Sequence, residues 1–361
     1  MKKLLDTIYH QQHLTQQQAS EVFSALIRGE VSDIEMTSLL IGLKMKGEQP
    51  QEIAGAAHAL RKYANFFPKT NYPTADSCGT GGSGMNTVNI STMVAIILAE
   101  FGLPMVKHGN RSISSKCGSA DVLESLGFKI DLTAEQSKQC LDQLNFCFLF
   151  APAYHPGVRH VMPVRNQLQT RTIFNLLGPL INPASPEYQL MGVYEPKLAA
   201  PAAESLKLSG CHSAMIVHSS GYDEITLHSP TQIVELDQGK IRCYTVNHTD
   251  FDLPKCEQQD IAGQDPIINA QIFSDVIAGK LDNKKTNAIA NTVAANAGAL
   301  LKLANKATSL SNGAELAIQI IQSGKAKKRL ADLIELSASF HSINSVDKCN
   351  LSNLNAERKN D

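Results

Sequence analysis

An α/β protein carrying a small all-helical N-terminal domain is what this sequence predicts, and three observations predict it. Residues 1–67 carry helical signals alone, short β-type runs alternate with helical stretches from Thr74 onward, and a glycine-rich turn follows the first of those runs. Such alternation implies a mainly parallel central sheet, because parallel strands need crossovers and helices supply them. With 361 residues the chain can bury a full core, as one large or two unequal domains. The predicted division is a helical domain over 1–70 joined by helices from about 160–190, an α/β domain over 71–340, and a polar tail over 341–361.

Within the first part, Thr15 with Gln18 and Ser32 with Glu35 are capping-box patterns. Apolar residues recur at helical spacing after each: Ala19, Val22, Phe23, Leu26 and Ile27, then Met36, Leu39, Leu40 and Leu43. Gly47 suits a helix end and Pro50 the first turn of a third helix, which Pro68 stops. Candidate strands follow at Ala75–Cys78, Pro104–Lys107, Phe128–Asp131, Phe146–Ala151, Ala214–His218 and Gln232–Leu236. Helical patterns fall at Met93–Phe101, Ala134–Leu144, Asn287–Ala304 and Ala314–Ile321. Residues 152–192 are rich in Pro and Gly and weak in strand signal, so they read as functional loop plus helix.

Composition excludes several classes. Hydrophobic residues make up 43% and charged residues 19%, as in a soluble globular protein rather than a disordered one. A formal net charge of −1 gives no global field for nucleic acid or an anionic membrane, so any anion site must be local. The eight cysteines show no CxxC pair and no metal-type spacing with His, which predicts free thiols in a reducing compartment. Asp6, His10 and the glutamines after it interrupt any apolar leader, and no apolar run reaches membrane-spanning length. The reading is cytoplasmic.

Chemistry concentrates between Asp76 and Leu126. Gly79-Thr80-Gly81-Gly82-Ser83-Gly84 follows a predicted strand, and glycines let backbone N–H groups converge on an anion. Asn89-Ile90-Ser91-Thr92 then opens a helix, offering hydroxyls beside unpaired N–H groups. Either element alone could be an ordinary turn or cap; together they predict a phosphate site. It is neither a Walker A motif nor a dinucleotide fingerprint. After the next strand, the run Lys107 to Lys116 packs three cations, a histidine, an amide and three hydroxyls into ten residues, a dense site for a multiply charged ligand. Asp223-Glu224 lies between predicted strands, where two hard oxygen donors with room for phosphates describe a Mg²⁺ site. Arg165 and Arg171 each suit a planar carboxylate, ligand or core.

In this order, the strings CGTGGSG, NTVNIST, VKHGNRSISSKCGSADVLESLG, FLFAPAYHPGVRHVMPVRNQL, TRTIFNLLGPLINP and GYDEITL resemble the anthranilate phosphoribosyltransferase family. With KGEQPQEIAGAAHALR, the resemblance runs over nearly the whole chain. It implies a nucleoside phosphorylase/phosphoribosyltransferase-like fold with the site in a cleft between the two domains. The implied reaction is Mg²⁺-dependent transfer of phosphoribosyl from 5-phosphoribosyl 1-diphosphate to anthranilate, in tryptophan biosynthesis. Two Mg²⁺ ions per site and a homodimer through the helical domain are also implied.

By similarity, the donor is held by Gly79, Gly82, Ser83, Thr87, Asn89, Ile90, Ser91, Thr92, Lys107, His108, Gly109, Asn110, Arg111, Ser112, Ile113, Ser114, Ser115 and Ser119. Ser91, Asp223 and Glu224 match metal ligands, and Gly79, Asn110 and Arg165 match anthranilate contacts. Lys107, His108 and Arg165 are the candidate catalytic residues: a cation for the leaving diphosphate, a late proton acceptor and a carboxylate grip. One departure is Ser83, where the family usually has Asp, so a hydroxyl replaces a carboxylate beside the cradle. A pyrimidine nucleoside phosphorylase would instead show a Ser-Gly-Arg type run at 108–111, and a nucleic-acid-binding homologue would show a basic surface and a broken acidic pair.

Overall fold

The computed structural model describes residues 1–82, 84–85, 87–112 and 116–340. Four helices lead: α1 (Lys2–Tyr9), α2 (Gln16–Arg28), α3 (Asp33–Lys46) and α4 (Pro50–Lys62). Both predicted capping boxes form, with Thr15 and Ser32 accepting from the backbone N–H of Gln18 and Glu35. Gly47 ends α3 and Pro50 opens α4, as predicted. Helix α1 is an addition to the predicted three.

The alternating part runs β1 (Ala75–Gly79), α5 (Ile90–Phe101), β2 (Met105–Gly109), α6 (Ser119–Ser125), α7 (Ala134–Leu144) and β3 (Phe146–Phe150). Next come α8 (Ala151–Tyr154), α9 (Met162–Leu168), α10 (Phe174–Leu180), β4 (Tyr188–Gly192), α11 (Ala199–Leu208), β5 (Ser213–His218), β6 (Thr231–Asp237) and β7 (Lys240–Val246). The chain continues through α12 (Pro266–Ile277), α13 (Lys284–Leu303), α14 (Leu310–Ser323) and a last helix over 325–340.

One seven-stranded sheet has the order β3-β2-β1-β4-β5-β6-β7. The first five strands are parallel, and β6 and β7 return antiparallel as a hairpin. Alternate residues bury into opposite layers. Met215 and Val217 of β5 join the core built on α5, α13 and α14, whereas Ala214 and Ile216 join the core that includes the N-terminal helices and α11. Val161, Val164, Phe174 and Leu177 lie in that second core too, and the Phe174 ring meets Phe23 of α2 at 5.8 Å. The 157–181 segment therefore packs with the helical bundle, its ends included: Gly157 lies against Ile27, and the Leu180 carbonyl accepts from Arg61.

Three strand expectations change. Phe128–Asp131 is not a strand. Phe128 and Ile130 are buried in alternation, but the Lys129 N–H donates to the Ser337 hydroxyl of the last helix, a side chain rather than a strand partner. Conversely, β4 lies in the centre of the sheet, inside the stretch predicted as loop plus helix, and β7 forms an edge that was not predicted.

Candidate active site

Strands β1, β2, β4 and β5 end at Gly79, Gly109, Gly192 and His218, all on one edge of the sheet. From β1 the chain builds outward to β2 and β3, then returns to build β4 and β5 on the other side. The order therefore reverses between β1 and β4, and the crevice beyond the strand ends at such a point is where open α/β sheets bind ligands. The glycine turn, the Lys107 run and the Asp223-Glu224 pair each follow one of these strand ends.

Their contacts are specific. The Gly81 N–H donates to Asp223 Oδ2 at 2.8 Å, joining the glycine turn to the acidic pair. Gly79 and Gly192, paired across β1 and β4, leave the space into which Asp223 fits, since a methyl group at either would overlap it. The backbone after the pair is fixed by buried Asn296 of α13: Ile225 N–H donates to Asn296 Oδ1 at 3.0 Å, and Asn296 Nδ2 donates back to the Ile225 carbonyl at 2.8 Å. Glu224 Oε1 is buried without a hydrogen-bond partner among the described residues. Burial, and then the neighbouring Asp223, push the Glu224 carboxyl well above the usual carboxylate range.

An oxygen that lacks a partner beside a second carboxylate fits a hard cation. No group of three His, Cys, Asp or Glu side chains able to hold a metal occurs among the described residues. Mg²⁺ keeps waters and takes substrate phosphate oxygens, so a pair of carboxylates is enough to hold it.

Helix α5 presents its N-terminus from the same edge, with Asn89 at the cap position but no side-chain cap bond among the described residues. Asn89 is turned elsewhere: its Nδ2 donates to the Cys117 carbonyl at 3.1 Å and its Oδ1 accepts from Asn269 at 3.3 Å. Thr87 bridges to Ala262 behind the turn. Ile90 and Thr92 are buried, and the Thr92 hydroxyl has no partner among the described residues. Ser91 faces Lys107, whose buried ammonium donates to Ser91 Oγ at 3.0 Å and to the Ser77 carbonyl at 2.7 Å. Burial lowers the Lys107 pKa, with Asp76 pulling it back up.

Beyond β2, His108 Nδ1 lies 3.1 Å from the Gly178 carbonyl of α10, and its ring meets His155 edge-on at 5.2 Å. Burial, then the His155 ring, push His108 down to about 3, and burial pushes His155 down to about 4. Both imidazoles are therefore neutral at pH 7. Asn110 accepts the Arg111 N–H on its side chain and the Ser119 hydroxyl on its carbonyl, beside Gly109. Asp121, at the start of α6, accepts the Ser112 and Gly118 N–H groups at 3.0 and 2.8 Å. Arg111 pairs with Glu124 and Asp121, over the Phe150 ring. Ser83, Ile113, Ser114 and Ser115 lie outside the described residues.

The two arginines separate. Arg171 pairs with Glu195 at 3.4 Å. Arg165 stacks 5.4 Å from the Phe174 ring centroid with no acidic partner among the described residues, and burial lowers its pKa. Among the described residues no hydrogen bond or ion pair ties Arg165 to the other candidates; it belongs to the α9–α10 wall that reaches Gly82 through Arg171 and His108 through Gly178. Sequence reasoning missed Asn296, although an amide among the Ala and Leu positions of α13 was the available signal.

Residues 2–64 match a family model described as "Glycosyl transferase family, helical bundle domain", and residues 71–327 match "Glycosyl transferase family, a/b domain". Anthranilate phosphoribosyltransferase of Pseudoalteromonas translucida (strain TAC 125) is 50% identical over 333 residues, covering 92% of this chain and 93% of that protein. The enzyme of the same name from Aeromonas salmonicida (strain A449) is 47% identical, covering 92% and 98%. Among solved structures, anthranilate phosphoribosyltransferase from Thermus thermophilus superposes with a TM-score of 0.87 at 36% identity, over 92% of this chain and 99% of that one. The Saccharomyces cerevisiae enzyme in complex with PRPP and Mg gives 0.83 at 26% identity, over 90% and 94%.

Proposed function

The chain belongs to the anthranilate phosphoribosyltransferase family, and from that premise we propose how its own residues divide the work. It transfers the phosphoribosyl group of 5-phosphoribosyl 1-diphosphate to the amine of anthranilate, a Mg²⁺-dependent step of tryptophan biosynthesis. The observation that carries the residue reading is the convergence of glycine turn, α5 N-terminus, Lys107 and acidic pair on one sheet edge at the point where strand order reverses.

In this reading Gly79–Gly84, Thr87, Asn89–Thr92 and Lys107–Ser115 with Ser119 cradle the donor. Ser91, Asp223 and Glu224 hold Mg²⁺, two ions per site. Bound Mg²⁺ neutralises charge that grows on the leaving diphosphate. Lys107 adds a fixed cation whose hydrogen bonds to Ser77 and Ser91 restrict where it points. Arg165 takes the anthranilate carboxylate, beside Gly79 and Asn110; its lack of an acidic partner among the described residues supports this. The aniline nitrogen is neutral at pH 7 and already nucleophilic, so positioning is the larger part of catalysis. His108 is the candidate late proton acceptor through Nε2, which has no partner among the described residues. A homodimer through the N-terminal helices and a cytoplasmic location complete the proposal.

Mixing purified protein with anthranilate, phosphoribosyl diphosphate and Mg²⁺ is expected to lower anthranilate fluorescence with time. Replacing both Asp223→Asn and Glu224→Gln should slow that loss on the order of 100-fold or more. A flat trace from folded wild-type protein would refute the reaction. A fully active double variant would remove the acidic pair from the metal site.

A further inference from the structure

We propose that Arg171 is a positioning residue for the phosphoribosyl diphosphate site, holding the Gly82 carbonyl of the glycine turn from the α9–α10 side so that this carbonyl does not face the anion. The inference rests on reading Gly79–Gly84 as the donor cradle.

Arg171 sits in the short link between α9 and α10. Its Nη2 donates to the Gly82 carbonyl, and its Nε lies 3.8 Å from where a Cβ at position 82 would stand. The guanidinium is stacked 4.2 Å from the Tyr194 ring centroid, and its Nη1 lies 3.4 Å from Glu195 Oε1. Stacking fixes the plane of the fork and the two polar contacts fix its rotation within that plane.

Tyr194 and Glu195 are not independent of the turn. The Tyr194 N–H donates to Thr80 Oγ1 at 3.1 Å, and the Thr80 N–H donates to the Gly192 carbonyl at 2.9 Å. The stretch Thr80–Gly82 is therefore held by the residues after β4 on one flank and by Arg171 on the other.

A glycine turn can rotate its peptide planes freely; Gly82 sits at φ 69°, a region other residues rarely adopt. That freedom is a liability for an anion site, because an inward carbonyl would repel diphosphate as strongly as an N–H attracts it. Holding the Gly82 carbonyl on a cation removes that orientation. Lysine could not do the same, since an ammonium has no plane to stack and no fork.

Arg171→Met keeps an apolar stem over Tyr194 and removes the donors. The KM for phosphoribosyl diphosphate should rise about tenfold or more, the loss of a charge-assisted hydrogen bond, while the anthranilate KM stays within about twofold. The thermal midpoint should stay within about 3 °C, as for a half-exposed side chain. Arg171→Lys should recover only part of the donor affinity. Glu195→Gln, which leaves the Gly82 contact in place, should raise the donor KM less than about threefold. An unchanged donor KM in Arg171→Met overturns the inference. So do equal rises in both KM values with a lower midpoint, which would mark a merely structural arginine. Failure of wild-type protein to consume both substrates would instead sink the donor-site reading itself.

Discussion

A buried arginine is rarely left without a carboxylate, because removing the guanidinium from water costs more than packing returns. Half-exposed Arg171 has Glu195 beside it, whereas Arg165, whose pKa burial lowers, has no carboxylate among the described residues. The cost of holding Arg165 unpaired is offset if a ligand brings the missing carboxylate, and anthranilate carries one. Arg165→Ala is therefore expected to raise the anthranilate KM about 10- to 100-fold, the worth of a charge-assisted pair, with little change in the donor KM. Steady-state kinetics in each substrate checks this; a rise confined to the donor KM would reassign the residue. The histidines point the other way. With His108 at about 3 and His155 at about 4, neither offers a cation to diphosphate near neutrality, so Lys107 is the buried side-chain cation of the β2 run.

At the scale of elements, β4 does the most to shape the site, because its C-terminal glycine gives Asp223 its place. Gly192 is central in the sheet and its Cα faces the Asp223 backbone so closely that a methyl would overlap the carbonyl oxygen. Gly192→Ala should cost at least about 1–3 kcal/mol of stability, as overpacking does, and should weaken Mg²⁺-dependent turnover as Asp223 shifts. Denaturant unfolding and a Mg²⁺ titration of activity test both halves, and wild-type stability in the variant would mean the acidic turn is not held as described. The same strand was hard to read from sequence. Its buried side chains include Gln189, held by the Pro179 carbonyl and near Cys78, so the apolar run is too short and too polar to signal a central strand. Edge strand β7 failed for the opposite reason: most of its side chains are exposed, leaving no apolar face. Gln238-Gly239 supplies the two positive-φ residues of its tight hairpin turn. Phe128–Asp131 has the alternation of a strand but no neighbour to pair with, which only tertiary structure decides. Turns, helix starts and charge runs are local and so leave a signal in the sequence, whereas strand order is not.

The whole molecule raises the question of its outer face. With a formal net charge of −1, self-repulsion does little to keep copies apart. Helix α3 buries Met36, Leu39, Leu40 and Leu43 on one side, yet Ile34 and Met45 are 80% and 79% exposed on the other. Eleven residues are close to three helical turns, so these two side chains lie on one stripe, with Ile41 between them. Tyr9 of α1, 54% exposed, lies beside Gly42 and widens the patch. An apolar stripe along the outside of a small helical domain is costly in a monomer and self-complementary in a two-fold dimer. Wild-type protein is thus expected to elute at twice the mass of one chain, and Ile34→Asp combined with Met45→Lys to elute as a single chain. Because Ile34 and Met45 are not among the residues proposed to hold either substrate or Mg²⁺, the separated chains should keep most of their kcat. A wild-type monomer, or a double variant that still pairs, would show that this stripe does not join the subunits. Collapse of kcat on separation would show that each crevice needs its neighbour to hold its shape.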